Sequence, residues 1–293
     1  MTALSVSFDL GALDPDGAES ACLALGAAAV TFADARDDPV LEPLPGEVRL
    51  WPATRLTALF LAPADPGELA AALAAALALP RECIATEVLA DRAWEREWLK
   101  DFHAMRFGAH LWICPRHERI ADPHAIVVTL DPGLAFGTGT HPSTALCLEY
   151  LDAHAGWLRG RSVIDYGCGS GVLALASARL GAAQVHCFDI DPQALTATRE
   201  NALENGVAAV VRVHERAGEL PRGVDLLLAN ILAGPLCALA GAFAALLRPG
   251  GEAVLAGLMR PEVPDVTAAY AACFDVAGCA ERGDWACLRA RRH

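Results

Sequence analysis

Val163-Ile164-Asp165-Tyr166-Gly167-Cys168-Gly169-Ser170-Gly171 carries an apolar run into alternating glycines, and Val172-Leu173-Ala174-Leu175 follows at once. The start suits a buried strand and the continuation a helix, so the glycines mark a strand-to-helix turn. In an open α/β sheet, ligands bind outside the carboxyl ends of the strands, and glycines there let backbone approach a ligand with no side chain between. The same glycines also serve a tight turn that binds nothing, so this stretch alone leaves both readings open. Further out, short apolar runs at 162–166, 185–190, 210–213, 225–229 and 252–256 alternate with helical stretches at 172–180, 192–205 and 235–247. Buried parallel strands read as continuous apolar runs, and repeated β-α units imply an α/β, doubly wound sheet with helices on both faces. Runs at 273–276 and 285–290 add an expected hairpin at one edge.

Asp189 ends the run Cys187-Phe188-Asp189-Ile190-Asp191, about 20 residues past the glycines, where a carboxylate can accept hydrogen bonds from ribose hydroxyls. Asp191 precedes Pro192 and is read as the cap of the next helix. The glycine spacing is G-x-G-x-G, not the G-x-G-x-x-G of dinucleotide enzymes, and no Lys or Arg flanks it, so nothing there is suited to a pyrophosphate. With an acidic residue ahead of it, the run resembles the first motif of class I S-adenosylmethionine-dependent methyltransferases. Asn230 is a polar amide on the tip of an apolar run; it either satisfies local backbone or faces a cofactor and nucleophile, and its position favours the second. Residues 131–144 form a Gly-rich loop entering a helix, with Thr140 expected as the N-cap and His141 in a capping or positioning role.

The first 90 residues read in a different grammar. Extended runs at 4–8, 29–32, 48–51, 57–61 and 83–89, with helices at 17–25 and 66–79, follow a β-α-β-β-α-β order that predicts a ferredoxin-like sandwich. The Ala/Leu stripe of the second helix is read as core-facing. Residues 91–103 predict a linker helix with Trp94, Trp98 and Phe102 on one face, sealing two domains together. The expected division is 1–90, 91–104 and 105–293.

Composition narrows the class. The chain has 293 residues, 54% of them hydrophobic, which excludes disorder, and a formal charge of -13, which argues against a general nucleic-acid binder and for a basic partner. The ten cysteines, among them Cys22, Cys83, Cys147, Cys168, Cys187 and Cys237, stand scattered with no C-x-x-C pair. They read as free thiols in a reducing compartment, with no metal expected. Residues 226–247 carry no charge, but Asn230 and Gly234-Pro235 interrupt them, so they read as a strand, a loop and a helix, not a membrane span. No signal peptide is visible at the start, and the expected compartment is the cytoplasm.

Taken together, WLKDFHAMRFGAHLWICP (98–115), DPGLAFGTGTHPST (131–144), VIDYGCGSG (163–171), FDIDP (188–192) and NILAGPL (230–236) closely resemble the bacterial methyltransferases of large-subunit ribosomal protein eleven. The resemblance implies a Rossmann-like class I methyltransferase domain behind a smaller substrate-recognition domain, with S-adenosyl-L-methionine as cofactor. It implies cofactor contacts from Thr144, Gly167, Asp189 and Asn230, with Gly169 beside them in the glycine loop, and Asn230 as the candidate for orienting the amine. Ser143 stands where the family often has Thr, and Tyr166 where Phe is usual, which adds a hydroxyl needing a partner. The implied reaction is repeated N-methylation of lysine side chains and an N-terminal α-amine on a basic ribosomal protein. The expected enzyme is a monomer with no membrane or direct nucleic-acid partner and no dedicated general base. The alternatives are methylation of RNA or of a small molecule; Ile231 and Leu232 offer poor stacking for a base.

Overall fold

The computed structural model describes residues 3–36, 50–61, 65–89, 103–130 and 141–293. The chain divides into two compact units, Met1–Glu97 and Trp98–His293. In the first, β1 (Ala3–Asp9), α1 (Pro15–Ala24), β2 (Ala29–Asp34), β3 (Thr54–Phe60), α2 (Pro66–Leu77) and β4 (Ala85–Leu89) follow the expected order. Its sheet runs β2-β3-β1-β4 with each neighbouring pair antiparallel. Both helices start on an aspartate cap followed by proline: Asp14 accepts from the Gly17 N–H at 2.8 Å, and Asp65 from those of Gly67 and Glu68 at 2.8 and 2.9 Å. Alternate residues Leu4, Val6 and Phe8 of β1 share a core with Leu69, Leu73 and Leu77 of α2, so the Ala/Leu stripe is core-facing as read. Residues 50 and 51 are irregular and do not continue the extended run expected at 48–51, whose first half lies outside the described residues. The linker helix also falls outside them, together with Trp94, Trp98 and Phe102; residues 103 and 104 are described and are not helical.

The second unit opens with a small sheet that the sequence did not foretell as separate. Here β6 (Leu111–Cys114) lies between an antiparallel β5 (Met105–Phe107) and a parallel β7 (Ile126–Thr129). It is latched to α3 (Pro142–Ala153) by one carboxylate: Asp152 accepts the backbone N–H groups of Ala109, His110 and Leu111 at 2.5, 3.1 and 3.0 Å. Gly108, at φ +68°, passes so near that an added Cβ would stand 2.2 Å from Asp152 Oδ2. Asp152→Ala strips three amides of a charged acceptor in a largely buried corner, so stability should fall by about 3 kcal/mol. For a domain of this size that lowers the melting temperature by roughly 6–12 °C. A shift under about 2 °C in a thermal melt would show that the latch contributes little.

The main sheet comprises β8 (Ser162–Tyr166), β9 (Gln184–Phe188), β10 (Val211–His214), β11 (Val224–Asn230), β12 (Leu247–Met259), β13 (Phe274–Arg282) and β14 (Trp285–Arg292). Its helices are α4 (Val172–Arg179), α5 (Pro192–Glu204), α6 (Ala233–Leu246) and α7 (Val263–Tyr270). The spatial order is β10-β9-β8-β11-β12-β14-β13, parallel from β10 through β12 and closed by the antiparallel hairpin β13–β14. Val163, Cys187, Leu226 and Val254 face one buried cluster and Ile164, Phe188, Leu227 and Leu255 the other. Burial on both faces is why these strands read as unbroken apolar runs.

Two expectations change here. Residues 248–251, a Pro-Gly-Gly break after the helical stretch expected at 235–247, lie inside β12, whose register against β11 shifts between Val224 and Leu226 to absorb them. Helix α7 was not anticipated, since its eight residues carry too few turns to show a clear period. Among the described residues no helix is long and apolar enough to cross a membrane, and no group of side chains is placed to hold a metal ion. Six of the cysteines are buried, Cys168 and Cys187 among them, and all ten are free.

Candidate active site

The glycine turn after β8 is fastened on two sides, to β9 and to α5. The Gly167 and Cys168 amides donate to the Phe188 carbonyl at 2.8 and 3.1 Å, tying the turn to β9. From α5, Thr198 Oγ1 donates to the Gly169 carbonyl at 3.1 Å and Asn201 Nδ2 to that of Ser170 at 2.9 Å. Gly171 holds φ +82°, and a Cβ there would meet Thr198 at 2.9 Å, so the turn admits only glycine at that place. Beneath it, Asp165 is buried; Oδ2 accepts the Ala174 N–H at 2.9 Å inside α4, while Oδ1 has no hydrogen-bond partner among the described residues. Burial pushes its carboxyl up to about 7, the Ala174 amide pulling the other way.

Asp189 follows β9 and is fixed by backbone on both oxygens: Oδ2 accepts from Gly169 N at 2.9 Å and Oδ1 from Asp191 N at 3.0 Å. Each oxygen keeps a second lone pair, so the carboxylate is oriented yet still able to take two hydroxyls. Asp191 caps α5, accepting from Gln193 N at 2.8 Å, as read from the sequence. Asn230 closes β11, and its Nδ2 donates to Thr144 Oγ1 at 3.0 Å, not to local backbone. The carbonyl oxygen of Asn230 is thereby left as its acceptor toward the site.

Gly167, Gly169, Asp189 and Asn230 line one cavity of about 640 Å³ at the carboxyl tips of the strands. Thr144 does not line it: only 1% exposed, it lies behind Asn230 and acts on the cavity through that amide, while its neighbour Ser143 reaches the wall. His141, not Thr140, occupies the N-cap of α3; its Nδ1 accepts from Ser143 N at 3.3 Å and sits 2.7 Å from Ser143 Oγ. Thr140 and the rest of 131–140 lie outside the described residues. Burial lowers the His141 pKa, which keeps the ring neutral.

The walls are mostly apolar. Ile190, 90% exposed, and Leu232, 50% exposed, stand at the mouth. Tyr166 lies between Phe188 and Phe243, with ring centroids at 5.0 and 4.9 Å, and its hydroxyl has no partner among the described residues. Two wall residues escaped the sequence reading. Trp285, at the start of β14, meets His141 edge-on at 4.4 Å. Gly257, in β12, has φ +84°, and a Cβ there would stand 2.5 Å from the Ile231 carbonyl oxygen. A glycine inside an apolar strand is itself a sign of close backbone approach, so Gly257 was findable; Trp285 depends on a hairpin folding back across the sheet.

The arrangement suits a nucleoside whose ribose meets Asp189 and whose chain passes the glycines toward Asn230. Known proteins resemble this chain over most of its length. The family model described as ribosomal protein L11 methyltransferase (PrmA) matches residues 5–293. A ribosomal protein L11 methyltransferase of Pseudomonas aeruginosa is 47% identical over 287 residues, covering 96% of each chain. One from Aliivibrio fischeri is 47% identical over 264 residues, covering 89% of this chain and 88% of the relative. The crystal structure of a ribosomal protein L11 methylase from Lactobacillus delbrueckii subsp. bulgaricus superposes with a TM-score of 0.60 at 30% identity, over 66% of this chain and all of that one. The chain thus belongs to the ribosomal protein L11 methyltransferase family.

Proposed function

We propose that this protein is an S-adenosylmethionine-dependent methyltransferase that modifies lysine side chains and the N-terminal α-amine of ribosomal protein L11. The observation that carries the reading is the convergence of Gly167, Gly169, Asp189 and Asn230 on one cavity in a chain matched to that family over nearly its whole length. The residues fit the cofactor: a fixed carboxylate for the ribose, side-chain-free backbone at Gly167 and Gly169, and, among the described residues, no Lys or Arg lining the wall to repel a sulfonium. When bound, S-adenosylmethionine supplies a methyl group activated by a cationic sulfur.

The protein's task is then to present a neutral amine in line with that methyl. A lysine ammonium, with an ordinary pKa near 10.4, has no lone pair until it loses a proton. The apolar wall of Ile231 and Leu232 disfavours the charged form and so aids that loss. Asn230 Oδ1 accepts from the amine and aims it; such alignment is worth ~7–11 kcal/mol of barrier. Among the described residues, the titratable side chains on the wall are Asp189, occupied by two amides, His141, whose Nδ1 is engaged by Ser143, and Tyr166, whose hydroxyl burial keeps protonated. The proton therefore leaves to water.

Residues 1–90 serve in this reading as the substrate-recognition domain, 91–104 as the linker and 105–293 as the catalytic domain. Thirteen acidic and four basic side chains fall within residues 1–90, so that segment holds nine of the net thirteen negative charges and suits a basic protein partner. The enzyme works as a cytoplasmic monomer without touching nucleic acid. Incubation with methyl-labelled S-adenosylmethionine and separated ribosomal components tests the reading. Label in L11 is the expected result; label in RNA, or in no protein, overturns it.

A further inference from the structure

The cavity wall has a direction set by the sheet. Asp189 follows β9, the glycine turn follows β8, Asn230 ends β11, Gly257 lies in β12, and Trp285 begins β14. Those strands are neighbours in that order, so Asp189 and Trp285 are separated by four strand spacings, roughly 19 Å. The ribose end and the end beyond Asn230 are therefore distinct regions of one cavity. Among the described residues the wall's single carboxylate, Asp189, belongs to the first. The second is formed by His141, Ile231, Gly257 and Trp285, with no acidic side chain among them.

That chemistry poses a problem for an enzyme acting repeatedly on one nitrogen. In each transfer the amine lone pair forms a bond to the methyl carbon, and the sulfur–carbon bond breaks with its electron pair kept by sulfur. The nitrogen emerges as an alkylammonium, and water takes a proton from it before the next round. Each methyl replaces an N–H, so Asn230 Oδ1 and any carbonyl lose donors to hold as substitution proceeds. What survives is a positive charge wrapped in methyl groups, which an aromatic face attracts without needing a donor.

We propose that Trp285 is a specificity residue for repeated methylation, its indole holding the partly methylated ammonium beside Asn230 for the next transfer. His141 positions the ring, meeting it edge-on at 4.4 Å and 74° between planes while itself fixed as the cap of α3. A neutral imidazole does this without repelling the cation. The proposal rests on amine methylation of L11 as set out above.

The test is intact-mass analysis of L11 over time with the full-length enzyme and the variants Trp285→Leu and Trp285→Phe. With Trp285→Leu the first transfer to a given amine slows about threefold and the later ones about thirtyfold, so that singly methylated species accumulate. Trp285→Phe, which keeps a weaker aromatic face, gives an intermediate distribution and remains informative should the leucine variant fold poorly. S-adenosylhomocysteine affinity, read by calorimetry, stays within about twofold in both, because the ring is remote from the ribose end. An unchanged product distribution, or equal slowing of all transfers, overturns the role of Trp285. Failure of the unaltered enzyme to methylate L11 at all would instead overturn the reading on which it rests.

Discussion

Asp189→Ala weakens S-adenosylhomocysteine binding by about 100-fold in isothermal calorimetry, the largest loss expected from any single side chain of the site. Two hydrogen bonds from ribose hydroxyls to a carboxylate contribute roughly 1.5–3 kcal/mol each, discounted because water partly replaces the lost acceptor. The truncation also removes the partner of two amides, Gly169 N and Asp191 N, so the glycine turn loses one of its fastenings. Asp189→Asn keeps the shape and one accepting oxygen, but its NH2 group accepts from neither an N–H nor a hydroxyl, so its affinity should fall between those of wild type and the alanine variant. An affinity within threefold of wild type for the alanine variant would mean that the ribose lies elsewhere, and with it the direction assigned to the cavity.

Gly257→Ala should cost about as much in turnover while leaving cofactor affinity nearly intact. The backbone at φ +84° is already unfavourable for an L side chain, and the added carbon would overlap the Ile231 peptide, with the carbonyl oxygen at 2.5 Å and C and N at 2.9 Å. A flexible side chain could swing away from such a contact; a peptide cannot. The neighbouring ladder is fixed, since Ile231 N donates to the Ala256 carbonyl at 3.1 Å and β12 already changes register against β14 between Ala256 and Leu258. The strain moves the segment that carries Asn230, and a displacement near 1 Å in a positioning group can cost about 100-fold. Gly278→Ala is the control, because a Cβ there meets nothing within 4 Å. Normal single-turnover rates for Gly257→Ala would show that this crossing of strands does not set the site's geometry.

The parts of the fold legible in the sequence are those written in local chemistry. Burial on both faces makes Leu226-Leu227-Leu228-Ala229 a strand with no alternation, and Asp65-Pro66 and Asp191-Pro192 announce helix starts that the hydrogen bonds bear out. That the sheet around the glycine turn is parallel and doubly wound followed from the repeated β-α units; its strand order did not. Features made by distant segments were not legible. Asp152 is an unremarkable acidic residue of α3 until the chain brings three amides of the β5–β6 turn against it. The runs at 111–114 and 125–130 read as strands, but their separation with β5 into a sheet of their own did not show. Nor did the course of Pro249-Gly250-Gly251, which look like a break but continue β12 because β11 accommodates the extra length.

The site divides along the same line. Gly167, Gly169, Asp189 and Asn230 sit at strand tips, where position in the chain and position in space coincide, and the structure gathers them on one wall. Thr144, a cofactor contact by the resemblance, is buried, and its hydroxyl accepts from Asn230, an arrangement fixed by α3 packing against β11 across 86 residues of chain. The cap of α3 fell to His141 in place of Thr140, since its imidazole nitrogen reaches Ser143 N.

The tethering of the glycine turn from behind has a kinetic meaning. With the Gly169 and Ser170 carbonyls moored to α5, and the Gly167 and Cys168 amides moored to β9, the socket has its shape before a guest arrives. Little chain entropy remains to be lost on association. Swapping a spent donor for a fresh one between successive rounds then requires only diffusion in and out of a standing mould, with no refolding of this turn to set the pace.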